Sequence, residues 1–149
     1  MEGSTLNVAF FLVPKLHVAY LYEDFTLRQG LEKMKAHGYT AIPVLTRDNM
    51  YVGTVSEGDF LWYLVGKDLS GAPEDIQLPD GKVACVRDIM RPDRNPPVLI
   101  TASLEELIHR AENQNFIPVV DDRNMFIGIV TRKDIIHYYT ATAAIRDRR

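Results

Sequence analysis

Hydrophobic and polar positions along this chain fall first into a helical pattern. Between residues 26 and 35 the apolar side chains stand at Leu27, Leu31 and Met34, a helical spacing, and Gly38 follows as a stop signal. The pattern predicts one amphipathic helix here.

Two short strands and a second helix are predicted next. Residues 40–45 are an apolar run, residues 46–49 form a polar turn, and residues 51–55 are again β-branched and aromatic. From Gly58 the apolar spacing is helical until about Gly66. The predicted unit is therefore helix, strand, strand, helix.

The same unit returns later in the chain. Ile-Pro-Val at residues 42–44 recurs at residues 117–119, and the segment from Gly53 to Asp59 recurs at residues 128–134, both at an offset of 75 residues. A constant offset indicates an internal duplication whose copies share a core. The second copy spans Ser103 to about Ala144 and lacks about two residues between its first helix and its Ile-Pro-Val strand.

A short lead-in precedes each copy. Residues 8–14 match residues 86–92 in length, in beginning with Val and in ending with Pro, and residues 16–22 and 98–101 read as an added strand for each sheet. We expect the first repeat at residues 1–65, a linker rich in Gly, Pro and Asp at 66–82, the second repeat at 83–145 and a charged tail at 146–149.

Composition narrows the possible functions. The chain has 149 residues, 46% hydrophobic and 25% charged, with a formal net charge of -3, so it offers no bulk attraction to nucleic acid or anionic lipid. Cys85 is the only cysteine, and no Cys/His group has metal-ligand spacing. The apolar run at residues 8–13 is too short to span a bilayer. We expect a cytoplasmic protein with no metal, no cofactor and no membrane contact.

Each copy carries a hydroxyl and a carboxylate where a strand gives way to a helix. Ser56 precedes Asp59 by three residues, and Thr131 precedes Asp134 by the same spacing. One interpretation is a helix cap, in which both side chains bond to free backbone N–H groups. The other is a ligand site, in which the helix start accepts a phosphate and the carboxylate holds a ribose diol. Local spacing favours the cap, whereas the duplication favours the site.

The residues beside these pairs differ in charge. Arg132 and Lys133 follow Thr131, whereas Glu57 and Gly58 follow Ser56. Cations are disfavoured by the helix dipole at a helix start, so two of them there indicate either a solvated pair or a bound anion. Glu57 would repel an anion. The second copy is therefore the better candidate for an anion site.

Evidence for catalysis is weak. The four histidines have no nucleophile or acidic partner at a recognisable spacing, and no phosphate-binding glycine loop or zinc motif is present, so we expect a protein that is not an enzyme. The last helix of each copy has a pair of aromatic residues that are interpreted as structural or dimer-facing: Trp62 and Tyr63 in the first, Tyr138 and Tyr139 in the second.

The chain resembles a tandem pair of CBS domains, the cystathionine beta-synthase-type regulatory module that binds adenosine nucleotides. The resemblance covers residues 8–139 and rests on the duplicated Ile-Pro-Val strand, on Asp-Ile-Met at residues 88–90 and on the Gly-x-x-[Ser/Thr]-x-x-Asp endings. It implies an α/β (α+β) fold of two β-α-β-β-α repeats, packed through their sheets about a pseudo-two-fold axis. It also implies a homodimer with an isologous interface.

Ligand clefts between the copies are implied by the same resemblance. By position, the first cleft would use Val18, Ala19, Tyr39, Thr40 and Ala41 around the adenine, with Thr131, Arg132, Lys133 and Asp134 at the phosphate and ribose. A second, weaker cleft would use Ser56, Asp59, Leu99, Phe116 and Ile117. The shortened second copy and Glu57 count against that cleft, so we expect one nucleotide per chain.

A narrower likeness is to the small stand-alone CBS proteins of Gram-positive bacteria that bind cyclic di-AMP and regulate a (p)ppGpp synthetase. It rests on residues 38–45, the Val18-Ala19 pair and the Phe126-x-Gly-x-x-Thr-Arg segment. Retention of Asp59 and Asp134 is closer to the general AMP-binding pattern, so cyclic di-AMP, AMP, ADP and ATP all stay open as ligands. The function expected is a noncatalytic nucleotide sensor that signals to a partner protein. The alternative is a ligand-free structural dimerisation module.

Overall fold

A computed structural model describes residues 6–66, 82–91 and 93–147, with side chains described to residue 141. Its helices are α1 (Val8–Phe11), α2 (Leu27–His37), α3 (Glu57–Val65), α4 (Leu104–Ala111) and α5 (Arg132–Asp147). Its strands are β1 (Val13–Pro14), β2 (Leu21–Tyr22), β3 (Ala41–Leu45), β4 (Tyr51–Ser56), β5 (Val98–Leu99), β6 (Phe116–Val120) and β7 (Phe126–Thr131). Two sheets and five helices among the described residues confirm the predicted α/β fold of two repeats.

The chain divides into two compact units, one of residues 19–94 and one of residues 1–18 with 95–149. In the first, the sheet order is β2-β3-β4, with β2 parallel to β3 and β3 antiparallel to β4. Strand β2 pairs only with Val44 and Leu45, so the missing N–H of Pro43 removes no ladder bond on that side. The core of this unit includes Leu21, Leu27, Met34, Ile42, Val44, Val55, Phe60 and Val86.

Helix α2 begins and ends where its sequence signals lie. The Thr26 side chain accepts from the backbone N–H of Gln29, whose side chain accepts in return from the Thr26 N–H, a complete capping box. Gly38 ends the helix in the left-handed conformation with φ 68°, which glycine adopts without steric cost. The predicted helix at 26–35 is therefore confirmed and extends two residues further.

The second unit contains the other sheet, in the order β1-β7-β6-β5. Here the first lead-in pairs with the second repeat, because β1 runs antiparallel to β7 with Pro14 opposite Gly128. A Cβ on Gly128 would clash with the Val13 carbonyl oxygen and lie 3.1 Å from the Pro14 Cα, so the pairing needs glycine. Conversely the second lead-in packs in the first unit, where the Val86 N–H donates to the Phe25 carbonyl at 2.8 Å. The lead-ins are thus exchanged between the repeats.

The structure adds detail to the sequence-based expectations for the first helix of the second copy and for the stretch after the first lead-in. Helix α4 has 8 residues where α2 has 11, so the shortening of the second copy falls on this helix. The stretch predicted as extended from residue 16 begins instead with a 3-10 turn at Lys15–His17, and only Leu21–Tyr22 is a strand. Across the described residues, no helix is long and apolar enough to cross a membrane. The predicted repeat boundaries stay a prediction, and the predicted linker lies mostly outside the described residues.

Candidate functional site

The start of α5 combines a partial cap with an open carboxylate. Thr131 is the last residue of β7, and its hydroxyl accepts from the Asp134 backbone N–H at 3.1 Å. The Asp134 side chain is exposed and makes no hydrogen bond or ion pair to any residue that the structure describes. Only half of a capping box is therefore formed, and the carboxylate stays available to a ligand.

An open groove beside this helix start carries positive charge. Its volume is about 470 Å³, and it is lined by Asn115, Arg132, Lys133, Ile136, His137 and Thr140. The backbone N–H of Arg132 donates to the Asn115 carbonyl at 2.8 Å, and its Nε donates to the Ala111 carbonyl at 2.7 Å. The second bond fixes the guanidinium against the end of α4. Fixed cations at a helix start favour a bound anion.

The start of α3 has the same backbone geometry but is fully bonded. Ser56 Oγ accepts from the Asp59 N–H at 3.2 Å, and Asp59 Oδ2 accepts from the Ser56 N–H at 2.9 Å, which completes the capping box. Arg94 Nη1 then donates to Ser56 Oγ at 2.6 Å and to Asp59 Oδ2 at 2.8 Å. Arg91 Nε lies 3.7 Å from Asp59 Oδ1. The carboxylate that the duplication offers as a ligand group is here part of the protein's own network.

A second groove lies in the first unit, at the junction of α2, β3 and α3. It has a volume of about 410 Å³, and its lining comprises Leu31, Met34, Lys35, Gly38, Tyr39, Thr40 and Glu57. Tyr39 is 37% exposed, and the Thr40 carbonyl accepts from the Glu57 N–H at 2.9 Å. This groove has apolar side chains, an aromatic ring and one charge of each sign, on Lys35 and Glu57, whereas the groove beside α5 has two cations and no acidic group. Its chemistry suits a neutral aromatic group better than a phosphate.

Some of the remaining candidate residues are buried, and the others pair beside a helix start or lie at the surface. Val18 and Ala19 are buried, as is Ile117, which belongs to the core of the second unit and can offer a ligand only its backbone. Ala41 pairs with Ser56 in the sheet, Phe116 pairs with Thr131, and Leu99 is 48% exposed. Within the first unit the structure brings together Tyr39, Thr40 and Ala41, and within the second it brings together Thr131, Arg132, Lys133 and Asp134.

Arg94 is the residue that sequence reasoning missed. It stands 35 positions from its carboxylate partner and has no local motif. The matching lead-ins are an indirect signal, because the residues just after a lead-in reach the start of a helix. Which of the two helix starts they reach is known only once the structure shows that the lead-ins are exchanged. Arg91, which lies nearer the surface at 67% side-chain exposure, was missed for the same reason.

Two other kinds of candidate remain: possible metal ligands and the aromatic residues of the last helices. Among the described residues no group of His, Cys, Asp and Glu has the arrangement of a metal site. Trp62 is 70% exposed and Tyr139 is 43% exposed, whereas Tyr63 and Tyr138 pack against the two cores. The aromatic residues of the last helices are thus half core and half surface.

Comparison with known proteins identifies the family. The model of the CBS domain matches this chain twice, at residues 13–66 and 86–141. The chain belongs to the CBS domain family. Each match contains the strand-turn-strand part of one copy of the duplication and at least the first part of the helix that follows.

Two curated relatives come from Methanocaldococcus jannaschii. An uncharacterised protein is 31% identical, with 78% of this chain and 82% of that protein aligned. Inosine-5'-monophosphate dehydrogenase is 23% identical over 85% of this chain, which spans only 22% of the enzyme's length. The CBS pair is therefore a minor part of that enzyme.

Several solved structures share the fold. CbpB of Listeria monocytogenes in complex with c-di-AMP is 25% identical with a TM-score of 0.76, covering 93% of this chain and 98% of its own. CBSX2 in complex with AMP is 26% identical with a TM-score of 0.66, covering 96% and 98%. Another CbpB complex with c-di-AMP has a TM-score of 0.79 at 22% identity, covering 97% and 91%, and shows the fold alone. CBS proteins similar to this chain thus bind adenine nucleotides.

Proposed function

We propose that this protein is a noncatalytic regulatory module that binds an adenine nucleotide and reports its presence to a partner protein. In this proposal, ligand binding shifts the population of two arrangements of the protein, and the partner recognises one of them. The partner class that the resemblance suggests is a (p)ppGpp synthetase. In this proposal, the protein acts in the cytoplasm.

The open Asp134 carboxylate beside a cationic groove carries the proposal. A carboxylate whose hydrogen-bonding capacity is unused accepts ribose hydroxyls, while Arg132 and Lys133 neutralise a phosphate. A helix cap by itself would need neither the two cations nor an unbonded carboxylate. The Thr131 hydroxyl and the positive end of the α5 dipole complete the proposed phosphate and ribose site.

The adenine in this proposal is bound by the first repeat. Tyr39 and Thr40 line an apolar groove, and the Ala41 backbone continues the same strand edge. Val18 and Ala19, both buried, contribute backbone groups that read the edge of the base. The ligand is cyclic di-AMP or a mononucleotide such as AMP, ADP or ATP. If the ligand is cyclic di-AMP, its second phosphate also lies near Arg132 and Lys133, which line a groove of about 470 Å³.

Isothermal titration of the purified protein with cyclic di-AMP, AMP and ATP tests the proposal. We expect one of them to bind at one site per chain and to raise the melting temperature. Ligand at about 100 times its dissociation constant stabilises the folded state by about 2.7 kcal/mol. Absence of both heat and stabilisation with all three nucleotides at millimolar concentration contradicts the proposal.

Matched variants locate the site. Lys133→Ala removes an exposed cation from the groove, and Asp134→Asn removes the negative charge of the open carboxylate, so both should weaken binding. Asp122→Asn makes the same charge change at an exposed turn residue of the same unit and should leave the affinity unchanged. Equal weakening in all three variants would indicate a nonspecific electrostatic effect instead.

A structural dimerisation module is the second candidate, favoured by an apolar surface on the last helices. Leu61, Trp62 and Val65 of α3 are 59%, 70% and 60% exposed, and on α5 Ile136 is 57% exposed. Exposed apolar patches of this kind mark interaction surfaces. Sedimentation of Trp62→Glu distinguishes the roles: we expect a homodimer to dissociate while nucleotide binding persists. Dimerisation without any nucleotide response would leave only the structural role.

A further inference from the structure

The two helix starts of the duplication differ in one contact. At the start of α5 the Asp134 carboxylate is open, whereas at the start of α3 the Arg94 guanidinium occupies the equivalent position. Arg94 Nη1 lies 2.6 Å from Ser56 Oγ and 2.8 Å from Asp59 Oδ2, and it donates to both. The Arg94 Nη1 atom therefore bonds both the hydroxyl and the carboxylate that this helix start would otherwise offer to a ligand.

These oxygens have no acceptor capacity left for a ligand. Ser56 Oγ also accepts from the Asp59 N–H, and Asp59 Oδ2 also accepts from the Ser56 N–H. A hydroxyl oxygen and a carboxylate oxygen each accept about two hydrogen bonds, so both are saturated. The Asp59 side chain is 3% exposed, and the Arg94 side chain is 29% exposed. The other carboxylate oxygen, Asp59 Oδ1, lies 3.7 Å from Arg91 Nε on this buried side chain. A ribose hydroxyl could bond to Ser56 Oγ or to Asp59 Oδ2 only after displacing Arg94.

The chain holds Arg94 in place through the segment before it. Met90 packs against the core of the first unit, and its methyl group lies over Gly53, where an added Cβ would be 3.2 Å from the Met90 Cε. The Arg94 N–H then donates to the Arg91 carbonyl at 3.3 Å. A fixed anchor thus stands four residues before the arginine.

The matching position in the other lead-in lacks a cation. Since residues 8–14 match residues 86–92, Arg94 corresponds to Leu16. That lead-in is anchored in the same way, with β1 paired to β7 at Gly128. Leu16 is 89% exposed and its side chain has no polar atom, so it can neither donate to Thr131 nor neutralise a carboxylate.

We propose that Arg94 is an internal occupant of the first-repeat helix start, which excludes nucleotide from Ser56 and Asp59 and limits each chain to one nucleotide. The inference rests on the proposed function, because the excluded ligand is of the same class. Displacing Arg94 would separate a buried charge pair, and Glu57 would repel the incoming phosphate. Both costs fall on the first repeat alone.

The test is the stoichiometry of AMP binding, measured by isothermal titration and equilibrium dialysis. Glu57→Arg replaces the acidic group of the first helix start by the arginine that the second has at the matching position, Arg132, but keeps Arg94. The double variant Glu57→Arg/Arg94→Leu also gives it the leucine that stands at the matching position. We expect one AMP per chain for the natural protein and for Glu57→Arg, and two for the double variant.

Each result decides the inference separately from the proposed function. One AMP in the double variant, or two in the natural protein or in Glu57→Arg alone, overturns the role of Arg94 while a nucleotide sensor stands. AMP binding only in the double variant supports the role of Arg94 and overturns AMP as the ligand of the Asp134 site. No AMP binding in any of the three overturns the role of Arg94 in excluding AMP, and it overturns the proposed function as well when cyclic di-AMP and ATP also fail to bind to the natural protein.

The reciprocal substitution, at the matching position of the other lead-in, gives a test that does not require the double variant to fold. Leu16→Arg places an arginine at an exposed position, where the fold tolerates it. We expect it to weaken AMP binding at the Asp134 site by about tenfold or more, a change of about 1.4 kcal/mol. Full affinity in a folded Leu16→Arg protein overturns the inference, because an arginine at this position would then not exclude nucleotide.

Discussion

Replacing each aspartate of the duplicated helix starts by alanine should separate stability from binding. Asp59→Ala removes the reciprocal bond of the capping box and the carboxylate that Arg94 holds. Asp134→Ala removes a carboxylate that is exposed and makes no bond to the described residues. We expect Asp59→Ala to lower the stability of the protein but to keep its response to nucleotide. We expect Asp134→Ala to keep most of the stability but to lose the response to nucleotide.

The contacts of Asp59 give the magnitude of the first effect. Loss of a cap costs about 1 kcal/mol, and loss of a hydrogen bond to a charged group costs about 1.5–3 kcal/mol. Because Arg94 is 29% exposed, its guanidinium regains water, which keeps the cost below the ~3–5 kcal/mol of breaking a fully buried pair. We expect Asp59→Ala to lower the free energy of unfolding by about 2–4 kcal/mol.

Asp134→Ala should cost much less. The Thr131 hydroxyl accepts from the backbone N–H of residue 134, and alanine retains that bond. Only the attraction of the carboxylate to the helix dipole is lost, which contributes about 0.3–1 kcal/mol. The expected difference between the two variants is therefore at least about 1 kcal/mol.

Urea denaturation followed by far-ultraviolet circular dichroism measures this difference, and a thermal shift with cyclic di-AMP and with AMP measures the response. For a slope of about 1–3 kcal/mol/M, Asp59→Ala should lower the midpoint by about 0.7–4 M. Equal destabilisation by both variants would refute the reasoning, since Asp134 would then have a structural partner. An Asp59→Ala protein as stable as the natural one would refute the contribution of Arg94.

Three further predictions concern the fold. Gly128→Ala should destabilise the protein by about 2 kcal/mol or more in thermal denaturation, because the new Cβ would crowd the Pro14 Cα at 3.1 Å; a change below about 0.5 kcal/mol contradicts the strand pairing. Phe60→Ala should cost about 3–5 kcal/mol in urea, since the ring is 1% exposed. Burial raises the pKa of Tyr51 above its ordinary value, so folding stability should fall as pH rises above 10.0, where the unfolded phenol ionises first. In Tyr51→Phe that alkaline loss should be smaller by up to about 1.4 kcal/mol per pH unit; an unchanged slope rules out a buried Tyr51 phenol.

The sequence predicts most of the regular structure because its signals are local. The cap at Thr26, the left-handed stop at Gly38 and the two Ile-Pro-Val strands lie where the pattern puts them. Each of these signals acts within about four residues of its effect. The duplication adds confirmation, because the order strand, helix, strand, strand, helix occurs twice, as β2-α2-β3-β4-α3 and as β5-α4-β6-β7-α5.

The exchange of the lead-ins lay beyond sequence reasoning. Strand β1 has two residues, and its partner Gly128 is more than a hundred positions away. Neither Val13 nor Pro14 carries a pattern that selects the second repeat over the first, because the two repeats have nearly the same strands. Only the packing of the whole unit decides between them.

The role of Arg94 depends on that exchange, which is why the candidate site could be predicted only in part. Sequence reasoning ranked the Thr131 site above the Ser56 site from Glu57 and from the shortened second copy. The structure adds a more direct argument, since Arg94 already bonds both Ser56 and Asp59. In the proposed sensor, the duplication has therefore diverged at one contact. One helix start stabilises the fold through an internal cation, and the other keeps its carboxylate open for a nucleotide that arrives and leaves.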